Sequence, residues 1–230
     1  MKRIARLRPV VILVSALIML LACSNESLAV PVDFTYTADN EVRNVWYQSG
    51  STTVAVPLGP GATDWGQTDS FTLNLMVNTP YHVIWQAANW SWEGAPGGFL
   101  AEVSSPTPLL GDGLLSSAQW EVAFVQGSVA VPDWATLAWS PATEYGANND
   151  PSTIWYGAAW GPIASIAGEA QWLWTALNFA DPGAPGDGDS VFIRVAVEPT
   201  APVPEPSTLL ITASGFATWG AMAWRRHRRG

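Results

Sequence analysis

The sequence predicts one all-β domain of sandwich type over residues 30–200, preceded by a signal peptide and followed by a transmembrane helix. Three observations predict this arrangement. Short segments rich in alternating, β-branched and aromatic residues fill the middle of the 230-residue chain, with clusters of Gly, Pro, Asn and Asp between them. An apolar run beside basic residues stands at each end. Of ten lysine and arginine residues, only Arg43 and Arg194 lie between residues 30 and 204.

Residues 1–29 have the three parts of a secretory signal peptide. A 13-residue apolar run, Val10–Ala22, follows a basic start formed by Lys2, Arg3, Arg6 and Arg8. Ser27-Leu28-Ala29 then places small residues where signal peptidase reads them, which predicts cleavage after Ala29. Two alternatives stay open. Leu20-Leu21-Ala22-Cys23 resembles a lipobox, which would put a lipid on Cys23, and the segment would otherwise stay uncleaved as an anchor.

The β prediction for residues 30–200 depends on strand-like patterns and on the lack of sustained helical periodicity. Ile163–Ala176 is the nearest to a helix, but Trp172 and Trp174 alternate around Leu173 as in a strand. Many short strands separated by turn residues indicate a sandwich. The clearest predicted strands are Val32–Thr37, Ser70–Leu75, Tyr81–Ala87, Trp120–Phe124 and Ser190–Val197.

Residues 201–230 end the chain with a linker, an apolar run and a basic tail. The linker, residues 201–206, carries Val203-Pro204-Glu205-Pro206, whose prolines fix φ and oppose helix or strand. Ser207–Trp224 has 18 uncharged residues, and as a helix of about 27 Å it would span a bilayer. The alternative is an amphipathic helix packed on the domain, but this run has no polar face. Residues 225–230 hold the end in the cytoplasm through Arg225, Arg226, Arg228 and Arg229.

Both basic ends therefore predict that residues 30–204 lie across the membrane from the cytoplasm. This span has two cations and seventeen carboxylates, a formal net charge of −15. Such a surface repels nucleic acid, so we expect no nucleic-acid partner. The single cysteine, Cys23, lies in or beside the signal peptide. The exported domain therefore has no disulfide, and its hydrophobic core must hold it together.

The last 28 residues, Val203–Gly230, resemble the PEP-CTERM sorting signal of Gram-negative bacteria. The motif, the apolar segment and the basic end occur in the order of that signal. The resemblance implies an exported protein that exosortase cuts near the Pro-Glu-Pro motif. It also implies transient anchoring in the inner membrane through the C-terminal helix, then a place at the cell surface or in the extracellular matrix, with an association with extracellular polysaccharide.

The middle of the chain resembles the jelly-roll modules of the galactose-binding-like superfamily. The resemblance spans about residues 33–198 and implies one jelly-roll domain. One departure affects binding: such modules often have a Val-Asn-Gly hairpin where this chain has Val45–Gly50, so no ligand contact of that hairpin transfers. The matching pieces are Thr37–Glu41, Tyr81–Asn89, Gly97–Ala101, Trp139–Gly146, Trp160-Gly161 and Ala170–Trp174.

Twelve of the fourteen tryptophans lie in residues 30–204, and tryptophans in loops are the main indication of binding. An aromatic face stacks on the apolar face of a sugar ring. We expect strand tryptophans to be core residues: Trp85, Trp120 and Trp172. The candidate glycan-binding residues are Trp90 and Trp92, between a strand and a Gly-rich turn, and Trp155 and Tyr156. Plain packing is the equal alternative for these four.

Metal binding and catalysis have weaker indications. Asp181, Asp187 and Asp189 are weak candidates for a structural Ca²⁺ site, as are Asp39, Asn40 and Glu41, with a solvated acidic turn as the favoured alternative. His82 is the only histidine of the exported domain, so zinc is not expected, and a nucleophilic triad would have to use His82 inside a predicted strand. No phosphate loop, dinucleotide fingerprint or Gly-x-Ser-x-Gly motif occurs, so no cofactor or nucleophilic catalysis is expected. Three hypotheses remain: a polysaccharide-binding surface protein, a structural or adhesive protein without sugar binding, and, least favoured, a glycan-active enzyme.

Overall fold

The computed structural model describes residues 28–64, 66–89, 97–105, 110, 114–127, 129–153, 155, 162–176 and 189–200. The predicted linker and sorting motif (201–206), membrane helix (207–224) and basic tail (225–230) lie outside the described residues, as do residues 1–27 of the predicted signal peptide. Within the described ranges, no helix is long and apolar enough to cross a bilayer.

The described chain forms two antiparallel sheets, which confirms the predicted all-β sandwich. The first sheet has the order β10–β11–β6–β1–β4, and β7 pairs with β6. Its strands are β1 (Ala29–Asp39), β4 (Asp69–Met76), β6 (Gly98–Ser104), β7 (Leu114–Leu115), β10 (Thr143–Ala147) and β11 (Gln171–Trp174).

The second sheet has the order β3–β2–β5–β12–β8–β9. A 3-10 turn over Pro60–Thr63 carries the chain from the second sheet back to the first. Its strands are β2 (Glu41–Ser49), β3 (Thr52–Val56), β5 (Tyr81–Ala88), β8 (Glu121–Val125), β9 (Ser140–Pro141) and β12 (Ser190–Val197).

The core lies between the sheets and is built by strand alternation. Val32, Phe34 and Tyr36 of β1 are each at most 1% exposed, because every second side chain of a strand points to the same face. Across from them, the fully buried Trp85 ring lies 5.7 Å from the Trp120 ring and is stacked on it. The three strand tryptophans are buried, as predicted: Trp85 and Trp120 lie in the core between the sheets, whereas Trp172 lies in a second apolar cluster on the outer face of the first sheet.

A buried carboxylate fixes the edge of the first sheet. Asp69 opens β4 and accepts a hydrogen bond from the Tyr36 hydroxyl (2.8 Å) and another from the Gly59 N–H (2.7 Å). Burial, followed by the neighbouring Asp69, raises the pKa of Tyr36 far above its usual value, so the hydroxyl keeps its proton and donates. The bonds join β1, β4 and the segment between β3 and β4.

The predicted strands are confirmed, with one difference in extent. Each of the five clearest segments lies in a strand, although β8 begins at Glu121, one residue after Trp120. In Ile163–Ala176, only Gln171–Trp174 is a strand, as the alternation predicts, and residues 163–170 are turns. These turns have main-chain hydrogen bonds of their own, and the Asn148 side chain also binds the backbone of this segment at several points.

Each sheet also carries a covering segment on its outer face. The first cover, the described part of residues 148–170, lies over Leu100 and Trp172 of the first sheet. The second cover, residues 129–139, lies over Trp46, Ile84 and Phe192 of the second sheet. Apolar residues on these outer strand positions are therefore buried, although they point away from the inter-sheet core.

Candidate functional site

One end of the sandwich gathers the loops on which the sequence places candidate binding residues. The β1–β2 turn lies there, since Asp39 pairs with Gly98, the first residue of β6. The Asn40 N–H donates to the Ala88 carbonyl at the end of β5 (3.1 Å). The chain between β5 and β6, which contains residues 90–96, therefore leaves and returns beside this turn.

The acidic segment between β11 and β12 leaves and returns at the same end. Trp174, the last residue of β11, packs against the backbone at Gly97. Val191 of β12 pairs with Ala87 of β5. We define the loop end as this end of the sandwich, marked by Asp39–Glu41, Asn89, Gly97, Thr175 and Asp189.

The two ends of the described chain lie at the opposite end of the sandwich. The Val77 N–H donates to the Leu28 carbonyl (2.8 Å), and the Asn78 N–H donates to the Pro199 carbonyl (2.7 Å). Both bonds belong to the turn between β4 and β5. The predicted cleavage site, Ala29, is the first residue of β1 and also lies at this end.

Two consecutive glycines fix the return of the chain into β6 at the loop end. A Cβ on Gly97 would lie 2.4 Å from the Trp174 ring, and a Cβ on Gly98 would lie 2.6 Å from the Trp155 ring. Real Cβ atoms essentially never approach other atoms this closely. Only glycine fits at both positions because one indole packs against each of them.

Trp155 packs within this arrangement. Its ring is stacked on Trp172 with centroids 4.8 Å apart, meets Tyr145 edge-on, and is 6% exposed. Its Nε1–H donates to the Asp39 carboxylate (3.2 Å). This geometry favours the packing alternative for Trp155. Tyr156, Trp90 and Trp92 lie outside the described residues, so their role in glycan binding stays a prediction.

Asp39 is a half-buried carboxylate at the loop end. Burial raises the pKa of Asp39 to about 6, and the hydrogen bond from Trp155 offsets part of that increase. Above that pH the group is a carboxylate fixed by an indole, suited to accept hydrogen bonds from hydroxyl groups. From the sequence, Asp39 was a candidate only as part of the weak calcium cluster with Asn40 and Glu41. Its contact with Trp155 was not predicted, because the two residues are 116 positions apart in the chain.

The calcium prediction has no further support at the loop end. Asp189 accepts a hydrogen bond from the Gly127 N–H (2.6 Å), and Glu41 forms an ion pair with Arg43 (2.6 Å). Asp181 and Asp187 lie outside the described residues. Among the residues that the structure describes, no group of three or more His, Cys, Asp or Glu side chains is placed to hold a metal ion.

A polar cluster on the outer face of the second sheet was not singled out by the sequence. Arg194 forms an ion pair with Glu121 (2.7 Å) and lies 4.0 Å from the centre of the Trp139 ring. His82 lies in β5, as predicted, on the same face. Burial, and then Arg194, lower the pKa of His82, which favours a neutral imidazole at pH 7. Sequence reasoning missed this pair because Arg194 and Glu121 meet through the register of β12 with β8, which the pattern of a single strand does not show.

No protein-family model, curated protein or solved structure matches the chain. The two resemblances therefore depend on the residues quoted for them, and the functional proposal depends on those residues together with the loop end.

Proposed function

We propose that the chain is an exported protein, sorted through its C-terminal Pro-Glu-Pro signal, whose loop end binds extracellular polysaccharide at the cell surface or in the matrix. Exosortase and signal peptidase process it, and the C-terminal helix holds it in the inner membrane until it is cut. The observation that supports this function most is the position of the loops and chain ends at opposite ends of the sandwich.

This arrangement suits a protein that is anchored at one end and binds at the other. The described chain ends at Thr200 beside the β4–β5 turn, at the end of the sandwich opposite the loop end. Trp90 and Trp92 belong to a loop that leaves and returns at the loop end, where Asp39 supplies a carboxylate. Aromatic rings and acceptor groups together are what sugar rings and their hydroxyls require.

The net charge of the exported span supports an uncharged ligand. Seventeen carboxylates against two cations would repel acidic polysaccharides over most of the surface. Both cations are already paired, Arg43 with Glu41 and Arg194 with Glu121. We therefore infer a preference for neutral glycans, or for glycans that bind together with a cation.

The test is a glycan array with the full-length protein and with the double variant Trp90→Ala, Trp92→Ala. Each stacked ring contributes on the order of 1 kcal/mol, so losing both should weaken binding at least about tenfold. The melting temperature should stay nearly unchanged. The control is Val131→Ala, which truncates a side chain 60% exposed on the second cover and should bind like the wild type.

Two results would contradict the proposal. Wild-type protein that binds no glycan on the array would favour the structural or adhesive alternative. A large drop in melting temperature in the double variant would place these tryptophans in the core. Release of reducing sugar from a bound glycan would instead identify a glycan-active enzyme.

A further inference from the structure

We propose that the chain associates with a second copy of itself through β3, the edge strand of the second sheet. The two β3 strands pair antiparallel about a two-fold axis at Val54, so that each second sheet continues into that of its partner. The inference goes beyond glycan binding and uses a side of the sandwich that does not include the loop end.

β3 is an edge strand without the usual protection. It pairs with β2 alone among the described strands. Edge strands commonly carry lysine, proline, a bulge or an inward charge, which prevents pairing with another chain. The sequence of β3 is Thr-Thr-Val-Ala-Val, and it pairs with β2 in continuous register from Thr52 to Val56.

The hydrogen-bond pattern of the hairpin leaves backbone groups available on this edge. A two-residue turn at Gly50–Ser51 closes on the pair Ser49–Thr52, which in such hairpins is a hydrogen-bonded pair. Because bonded and non-bonded pairs alternate along an antiparallel ladder, Thr53 and Ala55 turn their N–H and C=O groups away from β2. These groups can accept a second β3 strand.

Apolar surface accompanies this edge. Val54 pairs with Tyr47, a residue that packs against the inter-sheet core, so Val54 lies on the inner face. It is nevertheless 38% exposed, and Leu58 just beyond the strand is 36% exposed. Core residues on the same side, between edge strands β3 and β4, are also only partly covered: Tyr47, Val56, Phe71 and Leu73.

Charge selects a second copy as the occupant. The exported span has a net charge of −15, so two copies repel each other wherever their carboxylates meet. Residues 44–63 contain no Asp, Glu, Lys or Arg, and neither do residues 70–92. These two stretches include all of β3 and nearly all of β4, so this is the side on which like-charged copies can approach.

The strand is also self-complementary in an antiparallel pair. With the axis at Val54, the two Val54 side chains face each other, Thr52 faces Val56 of the second copy, and Thr53 faces Ala55. Thr53 of one copy and Ala55 of the other form a hydrogen-bonded pair. The two Val54 residues, which face each other at the axis, therefore form a non-hydrogen-bonded pair. Cβ atoms in such pairs lie about 4.5–5.5 Å apart, close to the separation that a disulfide spans.

The experiment uses disulfide trapping in the full-length chain, with the wild type as the baseline for Cys23. Under a mild oxidant, Val54→Cys should give at least about tenfold more covalent dimer than Val131→Cys, because pairing raises the effective thiol concentration. Val131 is the matched control, being apolar, 60% exposed and on a cover rather than an edge. Adding Ala55→Lys to Val54→Cys should abolish the dimer, whereas adding Val131→Lys should not.

Equal trapping of Val54→Cys and Val131→Cys would overturn the proposal, and so would trapping that survives Ala55→Lys. Melting temperatures measured in parallel show that the lysine variants are folded, since both substitutions are at exposed positions. Glycan binding by the Trp90→Ala, Trp92→Ala double variant is a separate measurement, so the two proposals fail independently.

Discussion

The two covers bury apolar residues on the outer faces of the two sheets by different means. The first cover is held by polar groups. The Asn148 side chain donates to the Ile163 and Ile166 carbonyls (3.0 and 2.9 Å) and accepts from the Ile163 N–H (2.9 Å). The Glu102 carboxylate of β6 accepts from the Ala167 N–H (2.8 Å). A small number of side chains therefore fix a turn-rich segment.

The second cover is held by rings. Trp134 lies with its centroid 5.1 Å from that of Trp46 and 5.7 Å from that of Phe192, edge-on to both. Trp139 donates from Nε1 to the Trp134 carbonyl (3.2 Å) and lies against Arg194. Here the contacts are made mainly by large side chains, whereas the first cover combines one stacked ring, Trp155 on Trp172, with a buried amide that binds several main-chain groups.

The difference indicates how each cover responds to substitution. A buried polar hub leaves several groups without partners when it is removed, because each was desolvated for that contact. A ring leaves a cavity that its neighbours partly fill, and a half-exposed ring leaves a smaller cavity. Three substitutions, from the largest expected effect to the smallest, test this contrast.

Asn148→Ala should have the largest effect. The variant leaves the Ile163 N–H and the Ile163 and Ile166 carbonyls without their side-chain partner, and we expect a loss of about 3 kcal/mol in the free energy of unfolding. Urea denaturation measures the loss. Asn149→Ala is the control next to it, since Asn149 is exposed, and it should lose less than about 0.5 kcal/mol. Equal losses for the two variants would show that Asn148 is not a hub.

Trp134→Ala should lose less free energy of unfolding, about 2 kcal/mol, because Trp134 is half-buried and its removal leaves no polar side chain without a hydrogen-bond partner. Trp134→Phe keeps a ring between Trp46 and Phe192 and should recover more than half of the loss. Urea denaturation of both variants beside Asn148→Ala gives the ranking directly. A larger loss for Trp134→Ala than for Asn148→Ala would reverse the contrast between the covers.

Asp39→Asn should have the smallest effect, and one that depends on pH. The pKa of Asp39 is raised in the folded state to about 6 from 3.8. The contribution of Asp39 to stability is therefore fully present below about pH 4 and is lost as pH rises through 6. The full shift corresponds to about 3 kcal/mol. Because Asp39 remains partly in contact with water, we expect the variant to gain about 1 kcal/mol over the wild type between pH 4 and pH 7.

The measurement is the difference in unfolding free energy between variant and wild type at each pH, which removes the contribution of the other carboxylates. A difference that is constant from pH 4 to pH 7 would contradict the raised pKa. The prediction also bears on the first cover, because Trp155 of that cover donates its Nε1–H to the Asp39 carboxylate.

Much of the fold could be predicted because a strand can be recognised from its own short stretch of sequence. Tyr81–Ala87 and Ser190–Val197 are rich in β-branched and aromatic residues, and the length of such a run and the turn residues around it are sufficient to mark a strand. The covers could not be predicted in this way. Asn148 binds main-chain groups of residues 163–167. Because every residue has a main-chain carbonyl, the residue types of this segment do not show which carbonyls bind Asn148.

The candidate site could be predicted only in part, and for the same reason. The sequence placed Trp155 after an Asn-Asp-Pro turn, as for an exposed loop residue, but its partners Trp172 and Asp39 come from distant strands. In contrast, the core position of Trp85 followed from its own strand, since a ring in an apolar, alternating segment packs between sheets whichever strands surround it. Local pattern thus predicts burial better than it predicts contacts.

The Gly97–Gly98 pair has a consequence for how this protein can change during evolution. Each glycine lies under an indole, Trp174 or Trp155, so even one added methyl group would displace a ring. A substitution at either glycine would therefore need a compensating change at the tryptophan above it. In related chains we expect each glycine and its indole to be kept together or replaced together, so that the point of return into β6 stays constant.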